Sequence, residues 1–194
     1  MIENLKKKKI AFFGTPDFTV DFLELFKNIG IDIALVVTGE DKPVGRGLQM
    51  RSPLPKVWAE KNNIKYLQPQ KLSEIESELS NFDLFVVIAY GKIIPEKIIN
   101  LPKYGTINLH YSLLPKYRGA SPVESAILNE EKETGISIQQ MVFDLDAGDI
   151  LFQEKVEIKE DETTTELRNR LNERALAIFP SFLENFFLPS LEGR

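Results

Sequence analysis

Two short segments carry the residue types best suited to chemistry in this chain. Asn108-Leu-His110 contains the only histidine among the 194 residues, and Asp146-Ala-Gly148 places a carboxylate in a small-residue turn. On a strand, Asn108 and His110 point to the same face because they are two positions apart. An amide can donate hydrogen bonds to a developing oxyanion, while an imidazole or a carboxylate can move a proton. Together the segments predict a polar site for acyl-type transfer.

Each of these residues also has an ordinary structural interpretation. A single histidine at the end of a strand is often a hydrogen-bonded residue of the interior. An aspartate near a glycine is common in turns, and Asp144 and Asp149 are neighbouring carboxylates that compete with Asp146. A bound metal is not expected, because one histidine without any cysteine cannot assemble a zinc site of nitrogen and sulfur ligands.

The elements that must position these residues alternate between strands and helices. Residues 106–110 predict a strand that ends at His110, and the strongly apolar residues 84–89 predict a central parallel strand. Further strands are predicted at residues 9–13, 31–37 and 64–67, and helices near residues 15–29, 55–61 and 120–129. This alternation predicts the α/β class, with a Rossmann-like and mostly parallel central sheet flanked by helices.

The pattern changes in the last third of the chain. Residues 137–142 and 149–158 predict an antiparallel extension of the sheet, and a helix is predicted to begin near Thr163. Apolar residues follow one side of that helix: Leu167, Leu171, Ile178, Phe182 and Phe186.

The turn after the first predicted strand, Gly14-Thr-Pro-Asp-Phe18, invites comparison with nucleotide-binding turns. It lacks the second and third glycines that let the backbone approach a pyrophosphate, and no P-loop lysine follows it. We therefore interpret it as a helix-capping turn, with Thr15 as the N-cap and Pro16 in the first helical position.

Composition limits the remaining possibilities. A chain that is 43% hydrophobic over 194 residues can bury one sizeable core, which favours a single domain. No apolar run reaches membrane-spanning length and no signal-peptide core begins the chain, so we expect a cytoplasmic protein without a membrane partner. The net charge of −5 argues against a general nucleic-acid-coating surface. Residues 42–56, however, carry four basic side chains and no acid.

The chemical motifs, taken with their neighbours, resemble a known superfamily. The segments Asn108-Leu-His110, Ser112-Leu-Leu-Pro115, Tyr117-Arg-Gly119, Leu145-Asp146-Ala-Gly-Asp149 and Ala89-Tyr-Gly-Lys-Ile-Ile-Pro95 are similar to those of the 10-formyltetrahydrofolate-dependent formyltransferases. The similarity covers nearly the whole chain and implies the formyltransferase version of the predicted fold. It also implies that Asn108, His110 and Asp146 are catalytic and that 10-formyltetrahydrofolate is the formyl donor, without a metal.

Two further segments indicate the branch of the superfamily. Gly14-Thr-Pro-Asp-Phe18 and Asp41-Lys-Pro-Val-Gly-Arg-Gly47 resemble the methionyl-tRNA formyltransferase branch, which formylates the initiator tRNA. The resemblance implies that the basic loop, with Lys42, Arg46 and Arg51, contacts the acceptor arm of that tRNA. Basic side chains on a flexible loop can follow phosphates. Taken alone, the loop would be a solvated surface loop.

The resemblance also implies a folate site and a domain division. The folate would contact Ser112, Leu113, Leu114, Pro115, Ile93, Ile94 and Leu145, and the backbone of residues 90–94 would line its pterin. Residues 1–188 would form the catalytic domain, and residues 189–194 would begin a linker to a C-terminal β-barrel domain that this chain lacks. We therefore expect a monomer that binds tRNA weakly.

Three alternatives remain open at this stage. A sugar-nucleotide N-formyltransferase would use the same three polar residues, but the basic loop argues against it. Formyltetrahydrofolate hydrolysis would use water as the acceptor. A folate-binding or partner-binding protein without activity is disfavoured by the intact Asn108, His110 and Asp146.

Overall fold

The protein is described here by a computed structural model covering residues 7–45 and 48–188. Seven strands of these ranges form one sheet in the order β5-β2-β1-β6-β7-β8-β9. The strands are β1 (Lys9–Gly14), β2 (Asp32–Val37), β5 (Tyr66–Leu67), β6 (Leu84–Ile88), β7 (Thr106–His110), β8 (Glu133–Gln140) and β9 (Ile150–Glu157). Strands β5, β2, β1, β6 and β7 are parallel, while β8 and β9 are antiparallel to their neighbours. The predicted α/β fold with an antiparallel extension is confirmed.

Helices cover the sheet. They are α1 (Val20–Asn28), α2 (Leu54–Lys61), α3 (Glu96–Ile99), α4 (Pro122–Leu128) and α5 (Thr164–Phe187), with 3-10 helices at Asp17–Thr19 and Leu72–Leu79. Helix α5 begins where the sequence predicts, because Thr163 and Glu166 form a reciprocal capping box. None of the described helices is both long and apolar enough to cross a membrane.

Two apolar clusters form the core. All five residues of β6 are buried, as expected for a central parallel strand. The larger cluster contains Phe22 and Phe26 of α1, whose rings lie 5.6 and 5.5 Å from the ring of Phe179 in α5. Phe179 is fully buried, whereas the predicted Ile178 and Phe186 pack half-buried against the same cluster.

The turn after β1 differs from the prediction. Thr15 does not cap a helix: its Oγ1 donates to the carbonyl oxygen of Tyr90 at 2.9 Å and accepts from the N–H of Gly39 at 3.2 Å. Pro16 occupies the N-cap position of the 3-10 helix instead. Because Gly39 follows β2 and Tyr90 follows β6, the Thr15 hydroxyl joins the ends of three neighbouring strands.

Part of the glycine-rich segment between β2 and α2 forms two strands where the sequence predicts a loop. Strands β3 (Lys42–Val44) and β4 (Gln49–Arg51) pair antiparallel, with Lys42 opposite Arg51. All six of their residues are exposed, so no alternation of apolar and polar residues marks them as strands in the sequence.

Candidate active site

One face of the β7–β8 ladder is polar and carries the predicted residues. Asn108 lies directly opposite Gln139, and His110 lies directly opposite Ser137. Residues directly opposite in an antiparallel pair share a face of the sheet. The intervening residues Ile107, Leu109, Ile136 and Ile138 belong to the apolar core on the other side. The alternation of both strands therefore separates the site from the core.

Asp146 reaches this face from the loop after β8 and accepts hydrogen bonds on both carboxylate oxygens. Its Oδ1 accepts from Gln139 Nε2 at 2.7 Å and, over a longer 3.4 Å, from Asn108 Nδ2. Its Oδ2 accepts from the backbone N–H of Gly119 at 2.8 Å. Hydrogen bonds to an ionised acceptor are stronger than those between neutral groups, so this carboxylate is firmly oriented.

His110 is buried beside that carboxylate. Its Nε2 lies 2.8 Å from the carbonyl oxygen of Tyr117, and its Nδ1 lies 3.6 Å from Asp146 Oδ2. A carbonyl oxygen only accepts, so Nε2 carries a proton and Nδ1 is the ring nitrogen that faces the carboxylate. The structure thus brings Asn108, His110 and Asp146 together, as predicted.

The loop that presents Asp146 explains why this aspartate, and not a neighbour, enters the site. Asp144 and Asp149 are exposed, whereas the Asp146 side chain is only 10% exposed. A methyl group on Gly148 would overlap the carbonyl oxygen of Gln140. The glycine of this segment is therefore required by the close approach of two backbone stretches.

A cavity of about 260 Å³ adjoins the polar face. Gln139 and Asp146 line it together with apolar side chains, including the predicted Ile93, Ile94 and Leu145. Ile93 is 86% exposed, Leu145 70% and Phe143 61%. An exposed apolar group around a cavity with a few polar residues is typical of a small-molecule site. In the described ranges, no group of three or more His, Cys, Asp or Glu residues is placed to hold a metal ion.

The other predicted folate residues lie outside the lining of this cavity. The side chain of Ser112 is fully buried and donates to the carbonyl oxygen of Lys116 at 2.6 Å. Leu113 lines a separate cavity of about 180 Å³, Leu114 is buried, and Pro115 is exposed. A direct folate contact of these four residues remains a prediction.

Tyr90 is the first residue of the segment whose backbone is predicted to line the pterin, but its side chain turns into the core. Its ring packs edge-on against Phe13 at 5.5 Å, and burial raises the pKa of the Tyr90 hydroxyl to about 12. This phenol stays protonated at neutral pH.

Two of the predicted basic residues, Lys42 and Arg51, belong to the β3–β4 hairpin. Lys42 is exposed, and Arg51 forms a 2.7 Å ion pair with Asp17, which lies in the turn after β1. Arg46 lies outside the described residues. At the base of the hairpin, Lys56 lies 2.7 Å from Asp41, and this hydrogen bond is the main cause that lowers the pKa of Asp41 to about 2.

Three groups of the site were not predicted: Gln139, the N–H of Gly119 and the carbonyl of Tyr117. Gln139 had a signal in the sequence, since it lies two positions after Ser137 and so points to the same face of β8. Its place opposite Asn108 depends on the register of the two strands, which the sequence does not contain. The two backbone groups carry no side-chain signal at all.

The chain is similar in sequence to known formyl transferases. A model of the family described as formyl transferase matches residues 8–183. The methionyl-tRNA formyltransferase of Halalkalibacterium halodurans is 47% identical over 175 residues, which are 88% of this chain and 55% of that protein. The methionyl-tRNA formyltransferase of Malacoplasma penetrans is 40% identical over 184 residues, 94% of this chain and 58% of that protein. The chain thus spans little more than half the length of these relatives.

Solved structures share the fold. A phosphoribosylglycinamide formyltransferase from Bacillus halodurans superimposes with a TM-score of 0.77 at 20% identity, over 95% of this chain and 97% of that one. The sugar 3N-formyl transferase WlaRD, determined in the presence of dTDP and 5-N-formyl-THF, has a TM-score of 0.67 at 25% identity. That similarity covers 92% of this chain and 62% of WlaRD.

Proposed function

This chain belongs to the formyl transferase family, and from that premise we propose that it transfers the formyl group of 10-formyltetrahydrofolate to the α-amine of methionyl-tRNA. One observation carries the proposal: Asn108, His110 and Asp146 converge beside an apolar cavity that Asp146 itself lines. The relatives named methionyl-tRNA formyltransferase, at 40 and 47% identity, support the choice of acceptor.

The reaction begins when the neutral α-amine of the methionyl ester attacks the formyl carbon. A carbon–nitrogen bond forms and the formyl oxygen becomes an oxyanion. The amine proton then moves to the folate nitrogen that carried the formyl group, the bond between that nitrogen and the formyl carbon breaks, and the carbonyl re-forms. The products are formyl-methionyl-tRNA and tetrahydrofolate.

Two donors are available for the oxyanion. Asn108 Nδ2 has two N–H bonds and uses one of them in a long 3.4 Å contact with Asp146, so the second can be directed at the substrate. The neutral ring has one N–H, which Tyr117 accepts at Nε2, so His110 would donate to the oxyanion through Nδ1 in its imidazolium form. Loss of one preorganised oxyanion donor typically lowers the rate by about 10²–10³.

Asp146 supplies the proton path in this mechanism. Its Oδ2 faces His110 Nδ1 and can, through a water molecule, receive the amine proton and pass it toward the leaving nitrogen. Gln139 and Gly119 hold the carboxylate in one orientation while this happens.

The cavity beside the site fits the ring portion of a folate. Its volume of about 260 Å³ is slightly below the range of about 300–1,000 Å³ typical of small-molecule sites, so the rest of the folate would extend outside it. Ile93, Ile94 and Leu145 would form apolar walls, with backbone groups of residues 90–94 hydrogen-bonded to the pterin. We propose that residues 112–115 border the folate site.

The hairpin is the proposed contact for the tRNA. Lys42 and Arg51 would pair with phosphates, together with Arg46 in the same segment. Leu48 and Met50 on this hairpin are 71 and 64% exposed, which suits apolar contact with nucleotides. Because the whole chain carries a net charge of −5, we expect it to bind tRNA weakly by itself.

We further propose that residues 1–188 form the catalytic domain, which acts as a monomer in the cytoplasm, where charged tRNA is used.

The proposal is tested by incubating the chain with 10-formyltetrahydrofolate and methionyl initiator tRNA and measuring formyl-methionine. Asp146→Asn should remove the activity, while Asp149→Asn, which neutralises an exposed carboxylate three residues later that does not line the cavity, should retain it. Circular dichroism checks that both variants are folded. If wild-type protein binds the folate yet forms no formyl-methionine even at tRNA concentrations high enough to offset weak binding, the tRNA acceptor is wrong. A nucleotide-linked amino sugar is then the acceptor to assay, and product from it would establish the alternative function.

A further inference from the structure

We propose that Ser137 is a positioning residue that fixes the active-site loop, here residues 112–119, and through it both His110 and Asp146. The proposal rests on the function proposed above, because those two side chains are the groups assigned to catalysis. Ser137 itself lies across the ladder from His110 and does not line the cavity beside Asp146.

The Ser137 hydroxyl is fully buried and fully used. Its Oγ donates to the carbonyl oxygen of Ser112 at 2.6 Å. It accepts from the backbone N–H of Leu114 at 3.2 Å and from Gln153 Nε2 at 2.9 Å. A serine hydroxyl has one hydrogen to donate and two lone pairs. One buried side chain therefore holds two residues at the start of the active-site loop, Ser112 and Leu114, against strand β8.

The contact network continues along the loop to the catalytic groups. Ser112 Oγ donates to the carbonyl oxygen of Lys116, which closes the loop on itself. The next residue, Tyr117, presents its carbonyl to His110 Nε2, and Gly119 presents its N–H to Asp146 Oδ2. The orientation of two catalytic side chains thus depends on two backbone groups of one loop.

A second attachment limits the expected effect. Tyr117 Oη donates to Glu131 at 2.7 Å, and Lys116 pairs with the same carboxylate at 3.1 Å. The Lys116 contact is exposed and the Tyr117 contact is part-buried, whereas Ser137 holds the fully buried beginning of the loop. Loss of the Ser137 hydroxyl should therefore displace the loop without unfolding it.

The chain offers a matched control on the same strand. Thr134 is 2% exposed, and its Oγ1 is buried without a hydrogen-bond partner. Ser137→Ala and Thr134→Val each delete a buried hydroxyl from β8, but only the first deletes hydrogen bonds to the loop. Ser137→Thr restores the hydroxyl and should restore the function.

The first readout is kinetic. We expect Ser137→Ala to lower kcat about tenfold, since small misplacement of catalytic groups mainly slows the chemical step. The rise in KM for the folate should be smaller than this loss, although residues 112–115 border the proposed folate site. Thr134→Val and Ser137→Thr should stay within about twofold of wild type in kcat. Equal losses in Ser137→Ala and Thr134→Val would overturn the proposal.

The second readout does not depend on the acceptor. Because His110 is the only histidine, its imidazole NMR signals need no assignment by mutation. In wild type the Nε2 proton should exchange slowly with water, since it is donated to a carbonyl oxygen. We expect at least tenfold faster exchange in Ser137→Ala, with Thr134→Val unchanged. If the signal persists unaltered in Ser137→Ala, Ser137 does not position His110. Should the signal change while no variant or wild-type protein forms formyl-methionine, only the proposed acceptor fails.

Discussion

Asn108 of β7 and Gln139 of β8 lie directly opposite each other and donate to the same atom, Asp146 Oδ1. The contact from Gln139 is short, at 2.7 Å, and the one from Asn108 is long, at 3.4 Å. We infer a division of labour between the two amides. Gln139 holds the carboxylate, and Asn108 remains free to turn toward a substrate.

The charge of the Gln139 side chain is therefore critical. Gln139→Glu keeps the shape of the side chain but sets a second carboxylate against Asp146, and two adjacent carboxylates share a proton. We expect formyl transfer to fall about 100-fold, an effect comparable with the loss of one preorganised donor. Gln139→Leu, which removes the donor without adding a charge, should lose less. If the two variants are equally active, charge at this position does not matter.

Gly148 should tolerate no side chain. In Gly148→Ala the added methyl group would overlap the Gln140 carbonyl, so the loop must move and carry Asp146 with it. We expect activity to fall at least tenfold, because geometric displacement of a catalytic group by about 1 Å can lower rates about 10²-fold. Steady-state kinetics test this, with Ala147→Ser as the control at the adjacent exposed position. Equal activity of the two variants would contradict the packing argument.

The apolar rim of the cavity should control affinity for the folate. Ile93→Asp replaces an 86% exposed apolar side chain with a charge, so the ring would no longer be desolvated on that side. Burial of such a side chain stabilises by about 1.5–3 kcal/mol, which corresponds to a rise of about tenfold or more in the folate Kd. Calorimetric titration measures it. Leu128→Asp, at an 82% exposed position that does not line the cavity, should leave Kd unchanged.

The base of the hairpin should show a defined pH dependence. The Lys56 hydrogen bond lowers the pKa of Asp41 from 3.8 to about 2, so the ionised carboxylate is favoured in the folded protein. The stabilisation is complete above pH 3.8 and is lost as the pH falls through about 2. The difference in unfolding free energy between wild type and Asp41→Asn should therefore shrink between pH 5 and pH 2.5 in urea titrations. A difference that stays constant over this range would contradict the effect of Lys56 on Asp41.

The sequence predicts those elements in which burial of one face produces a regular alternation of apolar and polar residues. Strand β7 was predicted with its observed bounds because the apolar residues Ile107 and Leu109 alternate with the polar residues of the site. The β3–β4 hairpin was missed because an exposed strand needs no such alternation. Thr15 was misassigned because its partners, Gly39 and Tyr90, are far away in the sequence, whereas a capping turn is a local pattern.

The candidate site was likewise predictable only in part. Asn108, His110 and Asp146 were predicted from spacing and resemblance, and the folded chain brings them together, while their catalytic role stays a prediction. Gln139 required the register of β8 against β7, which only the folded sheet supplies. The contributions of Tyr117 and Gly119 come from peptide groups that every residue possesses, so no residue type signals them.

The use of peptide groups in the active-site loop has a consequence for mutational surveys. Alanine replacement truncates side chains and leaves each amide and carbonyl in place, so a scan through Tyr117 and Arg118 would report on side-chain contacts, such as that of Tyr117 with Glu131, and would not test the peptide groups. The sensitivity of this stretch would appear only when the main chain itself is altered. Replacing an amide by an ester at Gly119 would delete the N–H that Asp146 accepts from while keeping every side chain of the protein.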